Sequence, residues 1–165
     1  MSGEITNTMR LYTLKRVQIL PVKMDKAWDF FTSPHNLSKI TPPSLNFKVL
    51  SKNDEPIYPG MIIRYKVSPI FGIPLDWVTE ITHVEKHVLF VDEQRFGPYA
   101  FWHHLHKFRE VPAGVEMEDL VHYALPLGLV GSMAHALLVR KKVNEIFDFR
   151  SKILPQLFWG HNRNS

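Results

Sequence analysis

Imidazole and carboxylate side chains recur at alternate positions in two neighbouring stretches, and alternation along an extended chain puts them on one side. Trp102, His104, His106 and Phe108 share a face of the first stretch, and Met117, Asp119, Val121, Tyr123 and Leu125 share a face of the second. The bulky apolar members turn both faces inward. A tight turn at Pro112 and Ala113 sets a register in which His106 faces Asp119 and His104 faces Val121. A carboxylate at that range favours the imidazolium and holds one tautomer, so a hydrogen bond between His106 and Asp119 is expected. With Tyr65 or Tyr123 as a further donor, such a pair is suited to enolising a carbonyl compound or removing water from it. Phe90, Asp92 and Gln94 share a face of the stretch before, and Trp77, Thr79 and Ile81 a face of the one before that. Polar groups turned inward are costly unless paired or wet. Several together imply a hydrated pocket, ligand contacts or a satisfied structural network.

Other chemistries fit less well. His104 and His106 project to the same side, and Asp119 would complete a facial triad of the kind that holds iron. A strand His-x-His also arises on any polar strip, however, and His103 beside them makes the segment simply histidine-rich, so no metal and no cofactor are expected. The chain has no cysteine, which removes thiol catalysis, thiolate metal sites and disulfides. There is no G-x-S-x-G element, and Ser132 stands at a helix start rather than on a nucleophile elbow. Phosphate-loop, dinucleotide and zinc-protease patterns are absent.

The elements that must carry these side chains are legible in the patterning. Residues 9–20 are rich in branched and aromatic side chains and read as a first strand, broken by Pro21. Residues 22–32 carry Trp28, Phe30 and Phe31 at near-helical spacing, and 35–40 form a second short turn before Pro42 and Pro43 force extended backbone. Period-two stretches follow at 45–51, 61–67, 75–83, 88–96, 99–111 and 115–125. Their short connections favour antiparallel neighbours. The last long run, 131–154, repeats apolar side chains at three and four residues while Lys141, Glu145, Asp148 and Lys152 fall on the other side. That is an amphipathic helix, begun at Ser132 and ended by Pro155. One arrangement satisfies this order: a curved antiparallel sheet wraps around the final helix, with room for a cavity where the two fail to interdigitate.

With 165 residues, 45% apolar and 22% charged, the chain is expected to be one globular domain over 1–165, frayed at 1–8 and 160–165. The net charge of +4 comes from scattered pairs on solvent-facing positions, and no nucleic-acid motif accompanies it. Neither a secretory leader nor an apolar run of membrane-spanning length is present, so a cytoplasmic location is expected. The turns sort to two ends of the sheet. One end is polar; the other collects 68–74, 96–99 and 126–131, which are apolar or glycine-rich. Ile70, Phe71, Ile73, Phe96, Tyr99 and Leu129 there either plug against one another or form a mobile gate, which a membrane or protein could touch transiently.

The order of elements, together with Pro42 and Pro43 before Leu45 and Phe47, Trp77 before Ile81, Asp92 with Gln94, Gly97 and Pro98, the Trp102, His104, His106, Phe108 series, Asp119 with Tyr123, and Phe147 with Arg150, resembles the START, Bet v 1 and polyketide-cyclase-like superfamily, often called SRPBCC. The resemblance runs from Met9 to Phe158. It implies an α+β helix-grip fold: a curved seven-stranded antiparallel sheet around a long C-terminal helix, with two short helices between the first two strands. It also implies a cavity for a hydrophobic ligand. The expected function is therefore binding of a lipid, isoprenoid or polyketide-like molecule between the sheet and the last helix. Tyr65, Trp77, Phe90, Trp102, Tyr123, Met133, Leu137 and Phe147 are the expected wall, and Asp92, Gln94, His104, His106 and Asp119 the polar contacts. An aromatase/cyclase-type enzyme using His106 and Asp119, and a protein-docking module using the apolar end, are the alternatives.

Overall fold

The computed structural model describes residues 10–52, 55–69, 72–126 and 132–159, with side chains of the last helix described from 137 to 158. The expected fraying of both termini lies outside those residues. Strand β1 (Leu11–Leu20) leads into helix α1 (Met24–Phe31) and two 3₁₀ turns, Pro34–Ile40 and Pro43–Leu45. Strands β2 (Lys48–Val49), β3 (Ile62–Val67), β4 (Leu75–Glu85), β5 (Leu89–Phe96), β6 (Phe101–Val111) and β7 (Gly114–Ala124) follow, and helix α2 (Ser132–Trp159) is the last described element. All seven strands form one sheet in the order β1-β7-β6-β5-β4-β3-β2, and every pairing is antiparallel. Register shifts between β4 and β5, at Val78/Thr79 and Ile81/His83, add the local bends that curve the sheet.

Strand β2 is only two residues long, against an expected 45–51. Pro42 and Pro43 pre-set the backbone for a 3₁₀ turn that takes Leu45, and Asn46 then closes it in the left-handed region (φ 45°). The β6–β7 turn is as tight as expected, with Val111 paired to Gly114 across Pro112 and Ala113. Gly114 has φ +130°, and a Cβ there would sit 2.1 Å from the carbonyl oxygen of Leu20, so no other residue fits without moving β1.

Helix α2 runs past Pro155, which was expected to end it. Proline removes the hydrogen bond to the carbonyl four residues earlier, that of Ser151. Gln18 Nε2 on β1 donates to this oxygen at 3.2 Å, so the helix continues with the loss compensated from outside. At about 1.5 Å per residue its 28 residues span about 42 Å. Val139, Val143, Phe147, Arg150, Leu154 and Phe158 form its buried stripe, and Lys141, Glu145, Asp148 and Lys152 are exposed, as the periodicity requires.

Two apolar clusters fill the space between sheet and helices. One gathers Trp28, Phe90, Phe108, Met117 and Leu154; the other gathers Trp102, Val121, Tyr123, Val143 and Phe147. Along each contributing element the polar residues lie at the junction: His104 and His106 between Trp102 and Phe108, Asp119 between Met117 and Val121, Arg150 between Phe147 and Leu154.

Candidate functional site

The hairpin register brings the chemistry together as its turn length demands, with His106 opposite Asp119 and His104 opposite Val121. Strand β5 adds Asp92 opposite His104 and Phe90 opposite His106. Arg150 reaches down from α2. His104, His106, Asp119 and Arg150 are 4–6% exposed, so four ionisable groups share the interior. The side chain of Asp92 is 19% exposed.

Each carboxylate meets both imidazoles. His104 Nε2 donates to Asp119 Oδ1 at 2.8 Å and His106 Nε2 donates to Asp92 Oδ2 at 2.9 Å. The remaining ring nitrogens complete a cross: His104 Nδ1 lies 3.4 Å from Asp92 Oδ2, and His106 Nδ1 lies 3.0 Å from Asp119 Oδ1. The last contact corrects the expected His106 to Asp119 hydrogen bond. Its distance is short, but His106 Nδ1 makes no hydrogen bond among the described residues, so the contact is one of charge. Asp119 takes its hydrogen bonds from His104 and from Arg150 Nη1, the latter at 3.1 Å.

Aromatic rings hold the imidazoles in place. Phe90 stacks on His106 with centroids 4.1 Å apart, and Trp102 and Phe147 present their edges to His104. The guanidinium of Arg150 lies over the Phe147 ring, 4.7 Å from its centroid.

Burial opposes every charge here, and the partners decide which survive. Burial alone would raise the Asp119 carboxyl, but the Arg150 charge and both histidines hold it well below the usual carboxylate range. Asp92 is likewise pushed up by burial and pulled down, on balance, by His104, His106 and Arg150. Burial and the charge of His106 leave His104 below the ordinary imidazole value despite its carboxylates. For His106 burial is outweighed by Asp119 and Asp92, and its value is raised.

A cavity of about 140 Å³ opens against this cluster. Of the residues expected to line it, Tyr65, Trp77, Phe90, Asp92, His104 and His106 do. Burial raises the hydroxyl of Tyr65 far above the ordinary phenol range, with the Asp92 charge adding to it, so this group is a neutral donor. Trp102, Asp119, Tyr123 and Phe147 stand behind the lining: Trp102 packs on Trp77 and Tyr99, Tyr123 stacks on Tyr12, and Asp119 and Phe147 brace His104. Gln94 is not free for a ligand. Its Nε2 donates to the carbonyl of Tyr99 at 2.7 Å and its Oε1 accepts from the Tyr99 amide at 3.2 Å, which closes the β5–β6 loop. Leu137 faces outward, 67% exposed, and does not border the cavity; Met133 lies outside the described side chains.

The apolar end also differs from expectation. Ile73 and Phe96 are 57% and 64% exposed, Tyr99 is packed among Trp77, Trp102 and Tyr123, and none of the three borders the cavity. Ile70, Phe71 and Leu129 lie outside the described residues. The cavity is walled instead by the short helices, through Phe30, Phe31, Pro34, Leu37 and Leu45, with Phe47 just beyond them, and among the described side chains α2 contributes Ile146 and Arg150. Arg150 was not among the expected contacts. Its signal was its place on the apolar stripe of α2, where a guanidinium is tolerated only with a buried partner.

Asp92, His104 and His106 each offer a donor atom within 4.8 Å of the others, close enough to hold a metal ion. No described helix is long and apolar enough to cross a membrane.

No family model matches the chain, and no curated protein does. Solved structures do. The chain is similar to protein Ms6760 from Mycobacterium smegmatis (TM-score 0.66, 19% identity, covering 90% of this chain and 92% of that one). It is similar to the Zhui aromatase/cyclase from Streptomyces sp. R1128 (TM-score 0.67, 10% identity, 94% and 98% covered) and to Ara h 8.0201 (TM-score 0.59, 12% identity, 88% and 98% covered). At these identities the likeness establishes the fold, a helix-grip fold of the Bet v 1-like kind.

Proposed function

We propose that the chain binds a small, mainly apolar molecule in this cavity and orients it through one oxygen-bearing end. The observation that carries the reading is a cavity with aromatic and aliphatic walls whose ionisable groups are gathered on one side. Arg150 borders that side, and its buried Nε–H has no partner among the described residues, which suits a ligand oxygen as acceptor. Size narrows the class. An apolar cavity of about 150 Å³ holds benzene, whereas pockets for drug-sized ligands run to about 300–1,000 Å³. The cavity's roughly 140 Å³ therefore favours a single ring or a short branched chain, the polyketide-like end of the expected ligands, over a whole lipid.

Calorimetric titration with 4-methylphenol and with toluene tests this, alongside native mass spectrometry of freshly expressed protein. The phenol should bind more tightly, and Ile63→Trp, which fills the cavity, should abolish binding of both while leaving the circular dichroism unchanged. No binding of either compound, or equal binding by the filled variant, counts against the reading. A second reading, an aromatase/cyclase-type enzyme, draws on the contact of His104 and His106 with the cavity and on the likeness to the Zhui aromatase/cyclase. Its sign would be turnover of a linear polyketide mimic that disappears in His106→Gln.

A further inference from the structure

We propose that Asp92, His104 and His106 form a binding site for a divalent first-row transition metal, zinc or iron(II), with Asp92 Oδ2, His104 Nδ1 and His106 Nε2 as its ligands. This departs from the expectation of no metal. It rests on which atoms converge, since the adjacent histidines alone do not distinguish a site from a polar strip.

The two rings are oriented alike with respect to two carboxylates. His104 Nδ1 and His106 Nε2 both point to one atom, Asp92 Oδ2, at 3.4 and 2.9 Å. Metal bonds of about 2.0–2.1 Å in a tetrahedron put donor atoms about 3.3 Å apart, near the two separations of 3.4 and 2.9 Å to Asp92. The opposite nitrogens, His104 Nε2 and His106 Nδ1, both meet Asp119 Oδ1, at 2.8 and 3.0 Å. Metal sites orient a ligating histidine by a hydrogen bond from its second ring nitrogen to a carboxylate; Asp119 accepts such a bond from His104 and lies in charge contact behind His106. Arg150 bonds Asp119, not Asp92, which assigns Asp119 to orientation and leaves Asp92 as the anionic ligand.

The hydrogen bonds agree with this. His104 donates from Nε2 to Asp119, which leaves its Nδ1 facing the carboxylate oxygen of Asp92, and His106 Nε2, which donates to the same oxygen in the metal-free protein, releases that proton when the ion takes its place. The stacked and edge-on rings of Phe90, Trp102 and Phe147 fix the imidazole planes before any ion arrives. All three ligands border the cavity, so a further coordination position faces it, and two histidines with one carboxylate and an open position is the set that zinc and non-haem iron use.

The test uses protein made without an affinity tag, stripped with a chelator and desalted, then titrated with Co²⁺ by visible absorption and with Zn²⁺ by calorimetry. We expect one ion per chain with ligand-field bands of low coordination number. Asp92→Asn, His104→Ala and His106→Ala should each lower affinity more than 100-fold, and Asp119→Asn should lower it about 10- to 100-fold. His103→Ala and His122→Ala, on the outer face, should bind as the parent does. Circular dichroism and urea unfolding check each variant, and Asp92→Asn, at the least buried of the three, serves if a histidine variant fails to fold. Absence of one-to-one binding to the parent protein overturns the proposal, as does binding that survives Asp92→Asn and His104→Ala but falls with His103→Ala. Because the probe is the metal alone, the result is independent of whether the cavity takes an organic ligand.

Discussion

Arg150 is the side chain on which the interior electrostatics turn. It is 5% exposed and its charge balances two carboxylates that the sheet cannot neutralise by itself. Arg150→Met keeps the volume and apolar character of the helix stripe but leaves Asp119 with histidine partners only. Breaking a buried pair by removing one member costs about 3–5 kcal/mol, so urea unfolding should report a loss in that range. In the double variant Arg150→Met, Asp119→Asn the two losses should not add, because the second removes the charge that the first left unpaired. Additive losses would mean the two side chains act separately. The pH dependence has a definite sign. The folded-state value of Asp119 is depressed, so its contribution is present above the unfolded value of about 3.9 and is lost as pH falls through the folded one; Asp92 acts in the same direction. In chelator-treated protein the urea midpoint should fall from pH 5 to pH 3, and fall less steeply in Asp119→Asn.

The strands and helices were legible in the chain to different degrees, and the differences have causes. Period-two alternation located the β6–β7 hairpin, and a two-residue turn left one register, which is why the facing of His106 and Asp119 followed from the residues alone. Alternation says nothing about angles, so it could not tell that His104 rather than His106 makes the better hydrogen bond to Asp119. Local rules failed where a distant element intervened: Pro155 reads as a helix stop until Gln18, far away in sequence, takes up the freed carbonyl. Gln94 read as an inward polar contact because its face was correct; only the path of the next loop shows that Tyr99 consumes its amide. The cavity wall from α1 and the 3₁₀ turns was missed for a similar reason. Their apolar spacing was clear, but what they cover depends on how the chain crosses from β1 to β2. At this level the sharpest prediction concerns Gly114, whose missing Cβ leaves room for the end of β1. Gly114→Ala meets a backbone oxygen and a left-handed φ together, and should cost more than about 1 kcal/mol in urea unfolding. Pro112→Ala, two positions away, should cost less.

For the molecule as a whole, the two apolar clusters and the charged junction between them divide the labour. The clusters hold sheet and helices together, and the junction faces a cavity whose far wall the short helices supply. A molecule that occupies the cavity, as proposed above, would stabilise the fold. A compound present at 100 times its dissociation constant adds about 2.7 kcal/mol to the folded state. The thermal midpoint should therefore rise with 4-methylphenol concentration in the parent and stay constant in Ile63→Trp. Equal shifts in both would place binding elsewhere on the surface.

The sheet order has a consequence for how the chain is made. Strand β1 is synthesised first, yet its partner in the sheet is β7, with Leu11 beside Ala124 and Leu20 beside Val115. On the ribosome β1 emerges before the other strands and thus waits, with its ladder groups unpaired, until β7 has been translated. A nascent chain stalled before Gly114 offers β1 no native mate, and it is in that interval that a chaperone has something to hold.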